Sequence, residues 1–517
     1  MPGKRILQDL NRSFRDELLQ KVLQDYGRKK NAEETAFVEE LGKKVDKYVI
    51  ILFFITLWTG IVGYSKMFLI QCQHPKIARC AVPEFEGHFS YEQILNLTVR
   101  SQDNEYGHNC HFDRRNYHTY IETYGYNYSA LMDAISKAPN AYTQKCTDII
   151  TKFTEDHDDL GGIRNFQDQS NIYCKSVVVK RMSEIALKYG QFILSVPLGL
   201  LGDFYGRKTA FLYCGGIFAA GVLCTLTFHV RLVIVGRFLI GSFMILFYIV
   251  FVIFMENTSA RGRQIAILLH EGIAIGRFIE FMMYRTLGKW KIDTIINSVM
   301  CLLMLVTYFF VKESARWLFF RGNQRKAYNL IGIQKPNAPS VMLQKNINAH
   351  MGMLFKLIFR KRLLFQMITI WCTSSLVFIL RYRFSSQITN FILKNLLDSG
   401  ILMGSCTLLT FIIIYFIGRK KSIMLYFTIT SFVNSVLYLN PRMDRMFSQI
   451  LLVLSVTLTE NATFLTFYRI AEFYSNDIRL SSYGFCCGIH GFGDIFNYHA
   501  ITYYIPTKSV HYAPLFL

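Results

Sequence analysis

Long apolar segments recur along most of this 517-residue chain. An α-helix needs ~20 mostly apolar residues to cross the ~30 Å hydrocarbon core of a bilayer. The clearest segments of this kind are residues 48–70, 209–228, 232–255, 294–311, 363–380, 401–417, 422–439 and 449–468. Three more polar ones are residues 184–201, 264–284 and 483–504. The pattern predicts an all-α membrane protein with about eleven spans, and it excludes a typical cytosolic enzyme.

Basic residues are unevenly divided between the two longest polar segments. Residues 312–362 contain eleven Lys or Arg and one acidic residue, whereas residues 72–181 contain twelve Lys or Arg and fourteen acidic residues. Cytosolic loops of membrane proteins carry an excess of Lys and Arg. The asymmetry favours membrane topology, rather than nucleic-acid binding, as the cause of the net charge of +21.

The first 46 residues are rich in charge and contain no cleavable signal pattern. The apolar segment that follows is too long for the core of a signal peptide, so the N-terminus is predicted to be cytosolic. The predicted order is a cytosolic N-terminus (1–46), a first membrane helix (47–70), an extracellular loop (71–183), helices two to six (184–311), a basic cytosolic loop (312–362), helices seven to eleven (363–505) and a short tail (506–517).

The predicted extracellular loop contains candidate sites of covalent modification. Two glycosylation triplets begin at Asn96 and Asn127, although such triplets also arise by chance, as at Asn11 and Asn257 on the predicted cytosolic side. Five cysteines lie in the same loop, and an oxidising compartment would let four of them pair. The disulfide candidates are Cys80, Cys110, Cys146 and Cys174, with no pairing deducible from the sequence.

Two motifs recur at nearly the same offset, which indicates an internal duplication. The tripeptide Gly-Arg-Lys follows the second span at 206–208 and the eighth at 418–420, 212 residues later. A Glu and an Arg seven residues apart occur after the fourth span, at 256 and 263, and after the tenth, at 472 and 479, 216 residues later. Duplicated halves with a site between them are the plan of many secondary transporters.

These motifs all fall at the predicted cytosolic ends of spans. Gly206 allows a tight turn after Asp203. The carboxylates of Glu256 and Glu472 would pair with basic groups when a cytosolic gate is shut, which makes a charge-assisted latch for alternating access one interpretation. The other interpretation is that these charges only fix the topology. The sequence leaves both open.

Several segments resemble one known family. Residues 199–208 resemble the signature between the second and third spans of the major facilitator superfamily. More narrowly, Glu313-Ser-Ala-Arg-Trp-Leu318 resembles the Glu-Ser-Pro-Arg-Trp-Leu motif of the organic cation and anion transporters. Residues 80–83 and 173–174 are similar to the two ends of that family's extracellular loop, and residues 237–241 are similar to its fourth span.

The resemblance implies twelve helices in two six-helix bundles and a large glycosylated loop outside. It also implies transport of small organic ions across the plasma membrane, with no cofactor and no metal. The positions that match the family's gating motifs are Asp203, Gly206, Arg207, Lys208, Arg237, Glu256, Arg263, Glu313, Arg316, Gly418, Arg419, Glu472 and Arg479.

The chain departs from the family pattern at four points. Phe204 replaces an Arg, Ala315 replaces a Pro and Tyr415 replaces an acidic residue. Residues 506–517 are too few for a twelfth span, so the last helix is expected to be missing. These departures leave an alternative function, in which a transport-inactive relative acts as a membrane interaction protein or is a truncated, non-functional product.

An organic ion needs a cavity with aromatic walls and a few charges. The candidates for this cavity are Lys188, Glu271, Arg277, Glu280, Trp371, Phe378, Arg381, Lys394 and Asp494. Arg277 and Glu280, or Lys188 and Glu184, share helix faces and would also neutralise each other. Asp494 is expected to be an isolated acid that favours a cation, whereas Lys394 favours an anion, so the sign of the substrate charge stays open. Tyr248 is a further aromatic candidate, and His270 and His490 are either proton carriers or packing residues.

Overall fold

The computed structural model describes residues 47–68, 77–80, 82–98, 111–137, 142–145, 149–152, 177–258, 265–270, 272, 275–276, 278–279, 282–283, 290–334, 364–373, 375–376, 396–439 and 444–504. The elements before the main bundle are α1 (Lys47–Phe68), β1 (Ile77–Cys80), α2 (Tyr91–Thr98), β2 (His111–Arg114), α3 (Tyr117–Tyr124), α4 (Tyr128–Lys137), β3 (Tyr142–Lys145) and β4 (Ile149–Lys152).

The remaining described elements are helices. In chain order they are α5 (Val177–Tyr205), α6 (Arg207–Leu226), α7 (Val230–Ile240), α8 (Phe243–Asn257), a 3₁₀ turn (Ala266–His270), α9 (Trp290–Val306), a second 3₁₀ turn (Thr307–Phe309), α10 (Ala315–Phe320), α11 (Gln324–Leu330), α12 (Leu364–Thr373), α13 (Leu396–Ile417), α14 (Arg419–Leu439), α15 (Arg445–Phe473) and α16 (Arg479–Tyr504). The prediction of an all-α membrane bundle is confirmed, and the short strands lie outside that bundle.

Within the described ranges, four helical segments are long and apolar enough to cross a membrane. They are Ile185–Tyr205, Arg207–Leu226, Val230–Asn257 and Met446–Phe473. Shorter apolar helices cover Tyr48–Gly63, Thr294–Phe309, Leu364–Thr373 and Leu408–Ile417. At 1.5 Å per residue, a helix the length of α6 extends ~30 Å, which is the thickness of the hydrocarbon core.

Helix α5 begins at Val177, before the predicted start of its span at residue 184. Val179 packs on Val230 and Val233 of α7, together with Phe228 and Ile234. This apolar contact continues the helix beyond the span, because burying apolar side chains stabilises the additional turns.

The segment between α1 and α5 has a small core of its own. Its buried side chains are Val82, Phe85, Ile94, Leu97, Tyr117, Leu131 and Ile135. Antiparallel pairing of β1 with β4 and of β2 with β3 ties distant parts of the segment together. Asn96 and Asn127 are exposed. Cys80 lies in β1 opposite Ile149, whereas Cys110, Cys146 and Cys174 lie outside the described residues.

Helices α5 and α16 pack against each other through glycines. A Cβ atom on Gly484 of α16 would lie 2.6 Å from the carbonyl oxygen of Ser195, and one on Gly199 of α5 would lie 2.7 Å from that of Leu480. Neither distance leaves room for a methyl group, so the two backbones are in direct contact. Since α5 comes from the first half of the chain and α16 from the second, this contact joins the halves.

We expect Gly484→Ala to lower the free energy of unfolding by ~1–3 kcal/mol, because the new methyl group forces the backbones apart. Gly488→Ala is the matched control one turn later, where the added Cβ would lie at an ordinary 3.4 Å from the carbonyl oxygen of Phe192. Thermal unfolding of the purified variants in detergent measures both effects. Equal stability of the two variants would contradict close contact at Gly484.

Candidate functional site

The turn between α5 and α6 brings a carboxylate to the start of a helix. Gly206 has φ +111°, and a Cβ there would lie 2.3 Å from Oε2 of Glu313. Because Gly206 has no side chain, Glu313 can come close enough to accept hydrogen bonds from the backbone N–H groups of Arg207, at 2.8 Å, and Lys208, at 3.2 Å. These donors have no partner within α6, so the carboxylate satisfies them. Burial raises the pKa of Glu313, and the N–H donors oppose that rise.

The Arg207 side chain is completely buried and is bound by two carboxylates. Its Nε and Nη2 donate to the Oε2 and Oε1 atoms of Glu256, each at 3.2 Å. Its Nη1 lies 3.1 Å from Oδ1 of Asp203. Arg207, Glu256 and Asp203 all have 0% side-chain exposure. A buried guanidinium needs this pairing, because an unpaired charge away from water is strongly destabilising.

The same carboxylates also bind residues from the second half of the chain. Arg479 Nη1 donates to Oε1 of Glu256 at 2.8 Å. Ser481 donates to Oδ2 of Asp203 twice, from its backbone N at 2.7 Å and from its hydroxyl at 2.5 Å. Asp203 on α5 therefore caps the first turn of α16. We call Asp203, Arg207, Glu256 and Arg479 the charge cluster; its two carboxylates and two guanidiniums sum to zero charge.

The equivalent residues of the second half form a more exposed pair. The guanidinium of Arg419 contacts the carboxylate of Glu472, with side-chain exposures of 27% and 25%. Arg419 also lies 4.9 Å from the ring centroid of Tyr468. Tyr415, which stands where the first half has Asp203, is 72% exposed. The duplicated motif thus forms the same Arg–Glu pair twice, but only the first copy is buried between the halves.

The segment after the sixth predicted span contacts the end of α5 next to the charge cluster. Arg321 Nη2 donates to the carbonyl oxygens of Asp203, at 3.0 Å, and Phe204, at 2.6 Å, which are at the C-terminal end of α5. Burial lowers the pKa of Arg321. Asn257 Oδ1 accepts the N–H of Ala315, which ties α8 to α10. Arg321 was not predicted, because no local spacing in the sequence reveals a contact more than 100 residues away.

Most of the other matched motif residues that the structure describes lie close to the same end of the bundle. Lys208 Nζ lies 4.7 Å from the ring centroid of Tyr308. Arg316 is buried and its Nη2 donates to the carbonyl oxygen of Thr258 at 3.4 Å. Arg237 of α7 is also buried, but it precedes Glu256 by 19 residues along the span Val230–Asn257 and therefore lies toward the opposite end of the bundle. Gly418 has φ +81°, so it forms the left-handed turn expected from its match to Gly206.

A second ionic contact joins α5 and α16 further along the same pair of helices. Lys188 Nζ lies 2.5 Å from Oδ2 of Asp494, and both side chains are largely buried. The expectation that Asp494 is an isolated acid was therefore wrong: it failed because the two residues meet only when the halves pack. His490 Nδ1 is 3.8 Å from the same carboxylate and 3.2 Å from Nε2 of Gln191.

Aromatic side chains fill the space between the halves. The ring of Tyr248 on α8 stacks on those of Phe467 and Tyr483, with centroids 4.6 Å and 4.9 Å apart. All three residues are buried. Trp371 is 37% exposed and contacts Phe496 edge to face. In this conformation Tyr248 therefore packs against aromatic rings and does not face an open passage.

The remaining candidates lie outside the described residues. They are Arg263, Glu271, Arg277, Glu280, Phe378, Arg381 and Lys394, together with the side chain of His270. Across the part of the chain that the structure covers, no group of three or more His, Cys, Asp or Glu side chains is placed to hold a metal ion.

Comparison with known proteins identifies the family of this chain. Residues 123–486 match the family model described as "Sugar (and other) transporter". The chain belongs to this family. The proton:xylose symporter XylE, from E. coli, has a similar structure, with a TM-score of 0.50 and 12% sequence identity over 90% of this chain and 93% of that one. The fold is that of the major facilitator superfamily, so the chain is a multi-pass membrane protein, and its family is one of transporters rather than enzymes.

Two curated relatives align over shorter stretches. An organic cation transporter protein of Drosophila melanogaster is 25% identical over 173 residues, which is 31% of this chain and 30% of the relative. Myo-inositol transporter 2 of Schizosaccharomyces pombe is 25% identical over 167 residues, with the same coverage. The chain thus matches about 30% of the length of each relative. The resemblance to the major facilitator superfamily is confirmed.

Glu256 and Glu472 test how burial changes the contribution of an Arg–Glu pair to the free energy of unfolding. Glu256→Gln leaves two buried guanidiniums without their shared carboxylate, so we expect a loss of ~3–5 kcal/mol in the free energy of unfolding. Glu472→Gln, the matched control, breaks a pair whose side chains are about one-quarter exposed and is expected to cost ~1 kcal/mol or less. Thermal unfolding in detergent measures both. Similar losses in the two variants would show that burial of the charge cluster does not matter.

Proposed function

We propose that this transporter carries small organic ions across the plasma membrane by alternating access, with the charge cluster as the latch of the cytosolic gate. The observation that carries the proposal is the position of Glu256. Its carboxylate binds Arg207 of its own half and Arg479 of the other half at the same time. Separating the halves at this end must break the second contact.

The latch can open because the free energy of closing it is the small difference between two large terms, the attraction between its charges and the penalty for removing them from water. Taking four charged groups out of water carries a desolvation penalty that offsets most of the attraction between them. When the gate opens, water solvates the same groups again. The two conformations then differ by only a few kcal/mol, a range in which a substrate that binds one of them better can shift the population.

The orientation of the gate follows from charge placement. The segment that begins with α10 and α11 contains eleven Lys or Arg against one acid, as cytosolic loops do. Arg321 in that segment binds the end of α5 beside Asp203. We therefore place the charge cluster, and with it the N-terminus, on the cytosolic side, and the segment that contains Asn96 and Asn127 outside, where those two residues would be glycosylated.

The proposed substrate class rests on two supports. The Glu313–Leu318 segment resembles the motif of organic ion transporters, and one relative is named an organic cation transporter. Lys188 and Asp494 provide one buried charge of each sign, so an ion of either sign would have a counter-charge once the pair opens. A neutral polyol is the second candidate, because the other relatives are named myo-inositol transporters.

Uptake by cells with verified surface expression tests the proposal. We expect uptake of at least one labelled compound among tetraethylammonium, carnitine and p-aminohippurate, and none of myo-inositol above that of control cells. Uptake of myo-inositol alone would assign the polyol instead. A properly inserted protein that moves none of the four compounds would favour the transport-inactive alternative.

The latch predicts a specific effect of charge reversal. Arg207→Glu places three carboxylates together and should reduce uptake at least tenfold while leaving membrane insertion intact. Arg325→Glu is the matched control, because Arg325 is exposed on α11 near the same end of the bundle and undergoes the same change of charge. We expect the control to retain transport. Normal uptake by the Arg207 variant would remove the latch.

Lys188 and Asp494 can be tested as a pair. Lys188→Met alone leaves a buried carboxylate and should impair both stability and uptake. The double variant Lys188→Met, Asp494→Leu restores neutrality and should recover stability. If an organic ion uses one of the two charges, uptake stays low in the stable double variant. Recovery of uptake together with stability would show that the pair is structural.

A further inference from the structure

A cavity of about 310 Å³ lies at the seam between the two halves, next to the second copy of the Gly-Arg-Lys turn. Ile267 of the first 3₁₀ turn provides one wall. Phe411, Ile414 and Tyr415 near the end of α13 provide the other, and Gly418 and Arg419 lie at the rim. The walls are therefore apolar and aromatic, and the described charge at the rim is a guanidinium.

Several basic residues lie close to Arg419, the charged residue that lines this cavity. Arg469 lies close enough to Arg419 for the two guanidiniums to repel each other, and Glu472 neutralises only one of them. Lys420 and Lys421 follow in the chain and are exposed. These four basic residues exceed the single carboxylate by three charges, so the surroundings of Arg419 favour a ligand with several negative charges.

The surroundings of the cavity indicate that it opens toward lipid. Tyr415 and Phe416 are exposed by 72% and 78% at the end of α13, which is an apolar helix. Aromatic residues of this kind are typical of the boundary between the hydrocarbon core and the head groups. Immediately beyond them the chain becomes basic. Clusters of Lys and Arg next to a membrane helix on the cytosolic side bind anionic head groups.

We propose that this cavity binds a phosphoinositide of the cytosolic leaflet. The acyl chain enters between Ile267 and Ile414, and the phosphorylated head group binds Arg419, Lys420 and Lys421. The polyanionic head group matches the excess of three positive charges better than a head group with one net charge does. The inference rests on the proposed cytosolic position of this end of the bundle, but it does not depend on transport.

Binding here would act on the second Gly-Arg-Lys turn. A phosphate that bonds to Arg419 competes with Glu472 for the same guanidinium, whose contact with that carboxylate is only partly buried. The matching contact in the first half, between Arg207 and Glu256, is completely buried and closed to a lipid. The lipid would therefore loosen one copy of the duplicated motif and leave the other unchanged.

The purified full chain in detergent provides a direct test. Native mass spectrometry would measure binding of phosphatidylinositol bisphosphate, with phosphatidylserine and phosphatidylcholine as competitors of lower charge. We expect phosphatidylinositol bisphosphate to bind at least tenfold more tightly than phosphatidylserine, and phosphatidylcholine not to displace it. Equal binding of the three lipids would overturn the proposal.

Two variants separate a defined site from general attraction. Lys420→Gln with Lys421→Gln should weaken binding about 25-fold, since each Lys near an anionic head group contributes about fivefold. Arg325→Gln with Lys326→Gln is the matched control, because it removes two exposed charges from α11. We expect the control to bind normally. Equal weakening in both variants would mean nonspecific attraction and would contradict the site.

A third variant tests the apolar part of the site without changing charge. Ile414→Trp places a larger side chain in the cavity and should reduce lipid binding at least tenfold, while its elution as a monodisperse peak confirms folding. Normal binding by this variant would exclude the cavity as the site of the acyl chain. Because binding is measured without substrate, a protein that binds lipid but transports nothing overturns the proposed function only. The opposite result overturns only this inference.

Discussion

The closed arrangement of the two halves depends on the burial of one guanidinium. Arg207 has no exposure to water, so its charge is tolerable only while Asp203 and Glu256 stay beside it. Those carboxylates in turn accept bonds from Arg479 and Ser481 in the other half. Packing at this end is therefore all or none, since removal of any partner leaves a buried charge uncompensated. This property suits a gate with two discrete states better than one that opens gradually.

The two copies of the motif form the same Arg–Glu pair but differ in how deeply that pair is buried. Each pairs the Arg after a left-handed glycine with a Glu near the end of a later helix. Only the first copy also has an Asp that binds the opposite half. Tyr415 at the corresponding position is exposed and offers no carboxylate, so the second pair remains near the surface. The duplication therefore provides two similar turns, of which only the first is buried against the opposite half.

Local patterns in the sequence predict the helices and the motif turns but do not predict which charges meet. Apolar segments of fixed length identify the spans because the bilayer sets that length. Glycine followed by basic residues identifies the turns at 206 and 418 because few other residues adopt positive φ. The partners of Lys188 and Glu256 in the other half, by contrast, lie more than 200 residues away in the chain. The register of Lys188 against Asp494 follows from the glycine contacts between α5 and α16, and no periodicity within either helix encodes it.

The contact between Gly484 and Ser195 also sets the mechanics of the molecule. Backbones that touch without intervening side chains can tilt about that point but cannot slide past it. Gly484 is only five residues from Arg479 but twenty from Tyr504, so it divides α16 into a short and a long lever arm. At 1.5 Å per residue the long arm extends ~30 Å, and a tilt of ~10° would displace its tip by ~5 Å. A movement at the charge cluster of little more than 1 Å would thus be amplified about fourfold at the far end of α16.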